Sequence, residues 1–333
     1  MRSVSKSGTL FFMRKIFPDY FLITLKGLAM GAADVVPGVS GGTIAFISGI
    51  YQELIDTINK VDFTFFPSWK KNGFKIAWQQ INGSFLLALL SGIFISILTF
   101  SKIITHLLVT QPILVWSFFF GLVIASIFFV GKQIDKFSIG SISFFILGTV
   151  LSYYITIAEP VASPDSYPYL FLSGFIAIIA MILPGISGAF ILVLMGSYSV
   201  VIGTINIFRE ALLTFNIELL VQSILKLGTF AIGAILGLKL FSKVLHWMFD
   251  HHRNTTMALL TGFMLGSLNK VWPWKKVLSN RIDSHGNEVA FMEKSILPQN
   301  FEGDNLLLIA ILLMIAGFLT IFIVEKVGAK FSK

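Results

Sequence analysis

Two stretches of this sequence set a proline among glycines and hydroxyls so that backbone is left exposed. The first runs Gly31-Ala-Ala-Asp34-Val-Val-Pro37-Gly38-Val-Ser40-Gly41-Gly42-Thr43, and the second runs Pro184-Gly185-Ile-Ser187-Gly188-Ala189. Proline removes a backbone donor and disfavours helix in the residue before it. Amides freed at such a break, and the N-terminus of the helix that follows, present positive partial charge. Ser40, Thr43 and Ser187 add hydroxyl donors, and Gly41, Gly42 and Gly188 let a ligand approach the backbone. Two such turns facing each other make a site for an anion. The candidate binding residues are therefore Gly38, Ser40, Gly41, Gly42, Thr43, Gly185, Ser187 and Gly188. The plainer reading is that Pro-Gly and small residues merely kink and pack helices. Two copies in corresponding positions favour a site.

Few charges accompany these turns. Asp34 precedes the first proline by three residues. Two readings stand for it: a cap for the freed amides, or a group that carries a proton. Lys26 lies one turn before Gly31, placed to pair with Asp34, to bind phosphate, or to run out to a polar interface. Glu53 and Asp56 share one helical face, and solvated rim groups are the simple account of them. Lys26, Asp34 and Glu53 are the candidates for ion coupling or for charge at the site. Residues 168–207, around the second turn, contain no charged side chain, so the two copies differ chemically. Catalysis finds no support. His106, His246, His251, His252 and His285 fall at segment ends or in loops, and adjacent His251 and His252 cannot share a helix face. Cysteine is absent, so there is no thiolate metal site or thiol nucleophile. No cofactor, metal or catalytic residue is expected, beyond coupling to protons or another ion.

The elements that position these turns are apolar helices. Of 333 residues 55% are hydrophobic, 13% are charged and 34 are Phe. A soluble domain carries about 25% charged residues, so an ordinary soluble enzyme is excluded, as is a disordered chain. Long apolar runs and weak strand signals point to an all-α polytopic membrane protein rather than a barrel. The +8 net charge sits in loops and not in a stripe, which argues for membrane topology and against nucleic acid. Eight apolar segments lie near 20–58, 83–107, 111–131, 138–158, 168–207, 221–247, 255–271 and 304–325. A crossing needs about 20 residues. Segments 20–58 and 168–207 are far longer, and each has Pro-Gly near its middle.

The same two segments are copies. A slide of 147 residues matches 13 of the 33 positions from 27 to 59, among them Gly27, Pro37, Gly38, Ser40, Gly41, Gly49 and Tyr51. A slide of 141 pairs Gly92 with Gly233, Gly121 with Gly262 and Ser126 with Ser267. The chain thus reads as a duplication of 20–158 and 168–325. If each broken segment is a re-entrant hairpin, each half keeps three spans and the halves are inverted. That arrangement puts Lys60, Lys70, Lys71, Lys75, Lys132, Lys136, Arg253 and the tails 1–19 and 326–333 in the cytoplasm. It puts the 159–167 loop, with Glu159 and Asp165 but no Lys or Arg, outside. A single crossing per broken segment would export the lysines of 60–75. The misfit is the loop 272–303, which would lie outside with Lys275, Lys276, Arg281 and Lys294. The expected fold is two inverted repeats, each a re-entrant helical hairpin plus three transmembrane helices.

Lys26-Gly27, Met30 through Thr43, and Gly49-Ile50-Tyr51 closely resemble a bacterial membrane family once known only as a domain of unknown function. Its members are described as polyprenyl-phosphate (undecaprenyl-phosphate) translocases of the PopT type. Leu183 through Gly188, Gly266-Ser267-Leu268 and Trp272-Pro273-Trp274 are similar to that family too, so the likeness covers nearly the whole chain. Members often carry an acidic residue after the second motif's tyrosine; here Ser199 follows Tyr198. The resemblance implies a transporter, not an enzyme, in the bacterial cytoplasmic membrane. Its partner would be undecaprenyl phosphate, returned from the outer to the inner leaflet for reuse in cell-envelope polymer synthesis. Alternating access would work around the two Pro-Gly-x-Ser-Gly turns. Two rivals stand beside this: a transporter or channel for a small soluble anion, and an undecaprenyl-pyrophosphate phosphatase. Against the phosphatase, neither turn contains the Arg or His that would hold a diphosphate.

Overall fold

A computed structural model describes residues 17–36, 39–62, 64–164, 166–282 and 288–331. The first half holds α1 (Phe17–Asp34), α2 (Gly41–Ile47), α3 (Tyr51–Lys60), α4 (Phe65–Asn72), α5 (Phe74–Gln80), α6 (Gly83–Thr110), α7 (Pro112–Gly131) and α8 (Ile139–Ile157). The second holds α9 (Tyr167–Ile182), α10 (Gly188–Leu194), α11 (Tyr198–Thr214), α12 (Ile217–His251), α13 (Arg253–Ser267), strands β1 (Lys275–Ile282) and β2 (Glu288–Ser295), and α14 (Leu307–Phe331).

Both breaks form where the prolines require them. α9 stops at Ile182, and Leu183, the residue before Pro184, is extended with φ −67° and ψ 130°. Gly185 then turns at φ +85°, a conformation that favours glycine. Helix restarts behind serine caps: the Ser40 hydroxyl accepts from the Gly42 amide, and the Ser187 hydroxyl accepts from Phe190. α2 and α10 have seven residues each, so they reach roughly 10 Å, a third of a bilayer core. Each folds back along the helix before it, α2 on α1 and α10 on α9.

Among the described residues, four helices are long and apolar enough to cross a membrane: α6, α7, α8 and α12. The pair α10 and α11 passes the same test together but is bent by 105°. The apolar stretch of α9 and that of α14 over Leu307–Phe322 are shorter. α13, expected as a span, has only 15 residues and carries Thr255, Thr256 and Thr261. It is largely buried and packs on α8 and α7, so protein rather than lipid surrounds it. Lipid-sized apolar faces remain open elsewhere, as at Leu87, Phe94 and Leu98 on α6 and Ile232 and Ile235 on α12. A water-soluble monomer does not expose that much apolar surface.

Two expectations change. The 272–303 loop is not featureless: β1 and β2 pair antiparallel across it, from Lys275 opposite Ser295 to Ile282 opposite Glu288. Among the described residues the fold is therefore helical apart from one hairpin. The 60–82 connection contains α4 and α5, which expose Phe66, Trp69 and Phe74 beside Lys70, Lys71 and Lys75. Apolar rings next to lysines suit a membrane surface.

The duplicated glycines mark helix crossings. A Cβ at Gly27 would overlap the Leu89 carbonyl of α6, and one at Gly174 would overlap the Phe230 carbonyl of α12. Gly92 and Gly233 face back onto Thr24 and Phe171 in the same way. Gly121 of α7 meets Met314 of α14, while Gly262 of α13 meets Phe145 of α8. So α1 crosses α6 as α9 crosses α12, and α7 crosses α14 as α13 crosses α8. Only a missing side chain allows backbones this close.

Candidate functional site

The two hairpins meet through hydrogen bonds between side-chain hydroxyls of the first and backbone groups of the second. Ser40 Oγ donates to the Met181 carbonyl at 3.2 Å, and the Tyr51 hydroxyl donates to the Ile182 carbonyl at 3.2 Å. Thr43 Oγ1 accepts from the Gly185 amide at 2.9 Å. These are the groups the Pro184 break leaves without helical partners, and unsatisfied they would be costly. Ser40 and Thr43 are buried, and a Cβ on Gly42 would lie 2.6 Å from the Ile182 carbonyl. In this conformation the hydroxyls of the first turn hold the second turn.

Asp34 caps the first turn. The Gly41 amide donates to its Oδ1 at 2.6 Å, a short charge-assisted bond at the start of α2. An added Cβ on Gly41 would fall 2.6 Å from the other carboxylate oxygen. Of its two readings, the cap is thus realised in the geometry. The second turn differs. The 147-residue slide sets Met181 where Asp34 stands, so no carboxylate faces the Gly188 amide from that position. Ser187 Oγ accepts from Phe190 at 3.4 Å.

Between the turns lies a cavity of about 260 Å³. Asp34, Ser40, Ser187 and Gly188 form its polar side, and Ile178, Met181, Leu192 and Phe230 are among its apolar walls. Its lining is largely apolar, with Asp34, Ser40 and Ser187 as the polar side chains. A second, smaller cleft borders the far side of the same turn, where Gly185 and Ser187 meet Ser152 and Lys270.

The remaining candidates lie elsewhere. Lys26 donates from Nζ to the Ser48 carbonyl at 2.7 Å, tying α1 to the end of α2. It stands eight residues before Asp34 on one helix, roughly 12 Å away along the axis. Glu53 accepts from Asn82 Nδ2 at 3.0 Å, at the start of α6. Lys26 and Glu53 thus belong to the base of the first hairpin and Asp34 to its tip. Gly38 lies outside the described residues. Asp56 does more than line a rim: its Oδ1 is 2.7 Å from His246 Nδ1 of α12, whose Nε2 is 3.2 Å from Asp250. Among the described residues, no group of three or more His, Asp or Glu side chains is arranged to hold a metal.

Comparison with known proteins now decides the family. Residues 30–289 match the family described as VCA0040-like, undecaprenyl phosphate translocase-like. A polyprenyl-phosphate transporter of Vibrio cholerae serotype O1 is 42% identical over 316 residues, 94% of this chain and 98% of the relative. The chain belongs to this family. A polyprenyl-phosphate transporter of Staphylococcus aureus is 31% identical over 262 residues, 75% of this chain and 85% of the relative. No solved structure matches the chain. The translocase-like region spans both turns, the cavity between them, and Ser152 and Lys270. Those last two were not singled out from the sequence. The signal was slight: a lysine at a span end between Gly266-Ser267 and Trp272, where interfacial anchoring is the ordinary reading.

Proposed function

We propose that this protein moves undecaprenyl phosphate from the outer to the inner leaflet of the bacterial cytoplasmic membrane, as a transporter without enzymatic chemistry. The headgroup passes through the cavity between the two turns while the prenyl tail stays in the bilayer. The observation that carries this reading is that cavity, where Asp34, Ser40, Ser187 and Gly188 of the two turns meet a largely apolar lining. A phosphate drawn bare through hydrocarbon would face a prohibitive desolvation cost, and hydroxyls and backbone amides offset it. Family membership supplies the substrate class.

Asp34 sets a condition on the passage. An ionised carboxylate and a phosphate dianion in one small cavity repel each other. A proton on either one relieves that, so Asp34 couples headgroup entry to protonation, or to a cation that screens it. Alternating access then follows from rocking of two inverted repeats about the interlocked tips. The shared crossings of α1 with α6 and α9 with α12 support two equivalent units. Both chain termini face the cytoplasm in this arrangement and the β-hairpin faces outside.

Leaflet-resolved transport of C55 phosphate in proteoliposomes tests the function. Protein-dependent movement is expected, with none in protein-free vesicles; flux of free phosphate without lipid movement would favour a small-anion carrier. For topology, Lys71→Cys and Lys276→Cys are expected to label from opposite faces of intact cells. Labelling from the same face would remove the inverted arrangement.

A further inference from the structure

The second turn has another face, away from the Asp34 cavity. There Gly185, Ser187 and Phe190 meet Ser152 and Thr156 of α8 and Lys270, just beyond α13, around a cleft of about 10 Å³. That is room for one water-sized group.

Three observations mark this cleft out. The first is charge. The Lys270 side chain is 15% exposed, its Nζ lies 4.4 Å from the Phe190 ring centroid, and its nearest carboxylate oxygen, on Glu293, is 3.7 Å away. Lys275 Nζ lies 3.5 Å from the same oxygen. Both lysines approach one carboxylate, and of the two it is Lys270 that borders the cleft. The second is Ser152. Its residue is 1% exposed, and its hydroxyl has no hydrogen-bond partner among the described residues. Buried polar groups are nearly always partnered, so this one points to a ligand or water that completes it. The third is continuity. Ser187 borders this cleft and the larger cavity alike. Its hydroxyl accepts from Phe190, a role that leaves its proton to give. The duplication does not explain the lysine: the 141-residue slide puts Phe129 at the position of Lys270.

We propose that Lys270, Ser152 and Ser187 form a subsite for a phosphate monoester, which holds the headgroup on the β-hairpin side of the second turn before it passes Ser187 into the larger cavity. Lys270 supplies the charge, and the two hydroxyls donate to phosphate oxygens. A cleft of water size admits a phosphate only if Phe190 and α10 shift away from Lys270, and that shift is part of the proposal. This inference rests on the transport reading above, and it names where that substrate is first held.

The test is binding of farnesyl phosphate to the purified full chain in nanodiscs, by calorimetry, with farnesol and inorganic phosphate as the other probes. Lys270→Gln is expected to weaken farnesyl phosphate binding about tenfold or more, the scale of a lost charged hydrogen bond, while leaving farnesol unchanged. Lys270→Arg should restore most of the binding. Ser152→Ala removes a hydroxyl that bonds nothing in the protein. It should weaken farnesyl phosphate binding about threefold to tenfold with Tm unchanged or raised. If Lys270→Gln fails to fold, Ser152→Ala decides alone. Native affinity in either folded variant overturns the subsite. Inorganic phosphate should displace farnesyl phosphate only at far higher concentration; displacement at equal concentration overturns the lipid assignment. If the native protein moves no C55 phosphate, the transport reading fails whatever these variants do. If it does, and Lys270→Gln binds and transports as the native chain, only the subsite fails.

Discussion

The two turns share one sequence motif and differ in what surrounds them. At the first, a carboxylate from α1 closes on the Gly41 amide, and Ser40 and Thr43 are buried against the other hairpin. At the second, Met181 and Phe190 stand at the positions of Asp34 and Thr43, and Ser187 and Gly188 border open space. One copy is closed by its own acid and acts as a clasp. The other borders both the larger cavity and the smaller cleft, and in our proposal it meets the ligand. The two motifs give similar backbones, and a few side chains make their surroundings unlike. Residues 168–207 bring no carboxylate of their own to the second turn, so the acid in the shared cavity is Asp34 of the first hairpin, while Lys270 borders the second turn from outside the copied hairpin.

Three substitutions would break or sharpen this contrast. The largest effect is expected at Gly188. A Cβ there already meets the Ala177 carbonyl at 2.7 Å and the cavity wall lies beyond, so Gly188→Val should reduce transport to the level of protein-free vesicles. Native transport by a folded Gly188→Val protein would undo the assignment of the ligand face to the second turn. Next is Thr43→Val, which leaves the Gly185 amide buried without its acceptor. A loss of about 1–3 kcal/mol in stability is expected, read as a fall in Tm in detergent. Unchanged Tm would mean the clasp is not structural. The smallest is Asp34→Asn, which keeps the cap's shape and gives up its charge. About 1 kcal/mol of stability should be lost, and the dependence of transport on pH should flatten. If that pH profile keeps its shape, Asp34 is a cap and nothing more.

Much of this could be read from residues alone. Pro37 and Pro184 announce breaks because backbone chemistry at proline is local, and the structure ends α1 and α9 before them. The copied Gly27, Gly92, Gly174 and Gly233 announced a duplication, and the structure makes them crossings. What stayed hidden depends on distant partners. Nothing in Ser40 or Thr43 says that their hydroxyls meet Met181 and Gly185, more than 140 residues away. The β-hairpin carries Lys275, Lys276 and Arg281 on β1, and such polar strands lack the apolar alternation that betrays a half-buried sheet. Lys270 looks like an interfacial anchor until Glu293, on the opposite strand of that hairpin, and Phe190, from the copied turn, are brought beside it.

The glycine crossings also bear on how such a protein records its ancestry. At each, a side chain is forbidden by the carbonyl of the neighbouring helix, whatever cargo the protein carries. Apolar positions between them drift among Leu, Ile, Val and Phe with little penalty, so overall identity between the halves erodes. The glycines cannot drift alone, because each is fixed by a backbone and not by a matching residue. Ancient doublings in other membrane chains should therefore survive longest as spaced glycines, and aligning those spacings would recover kinship that percentage identity has already lost.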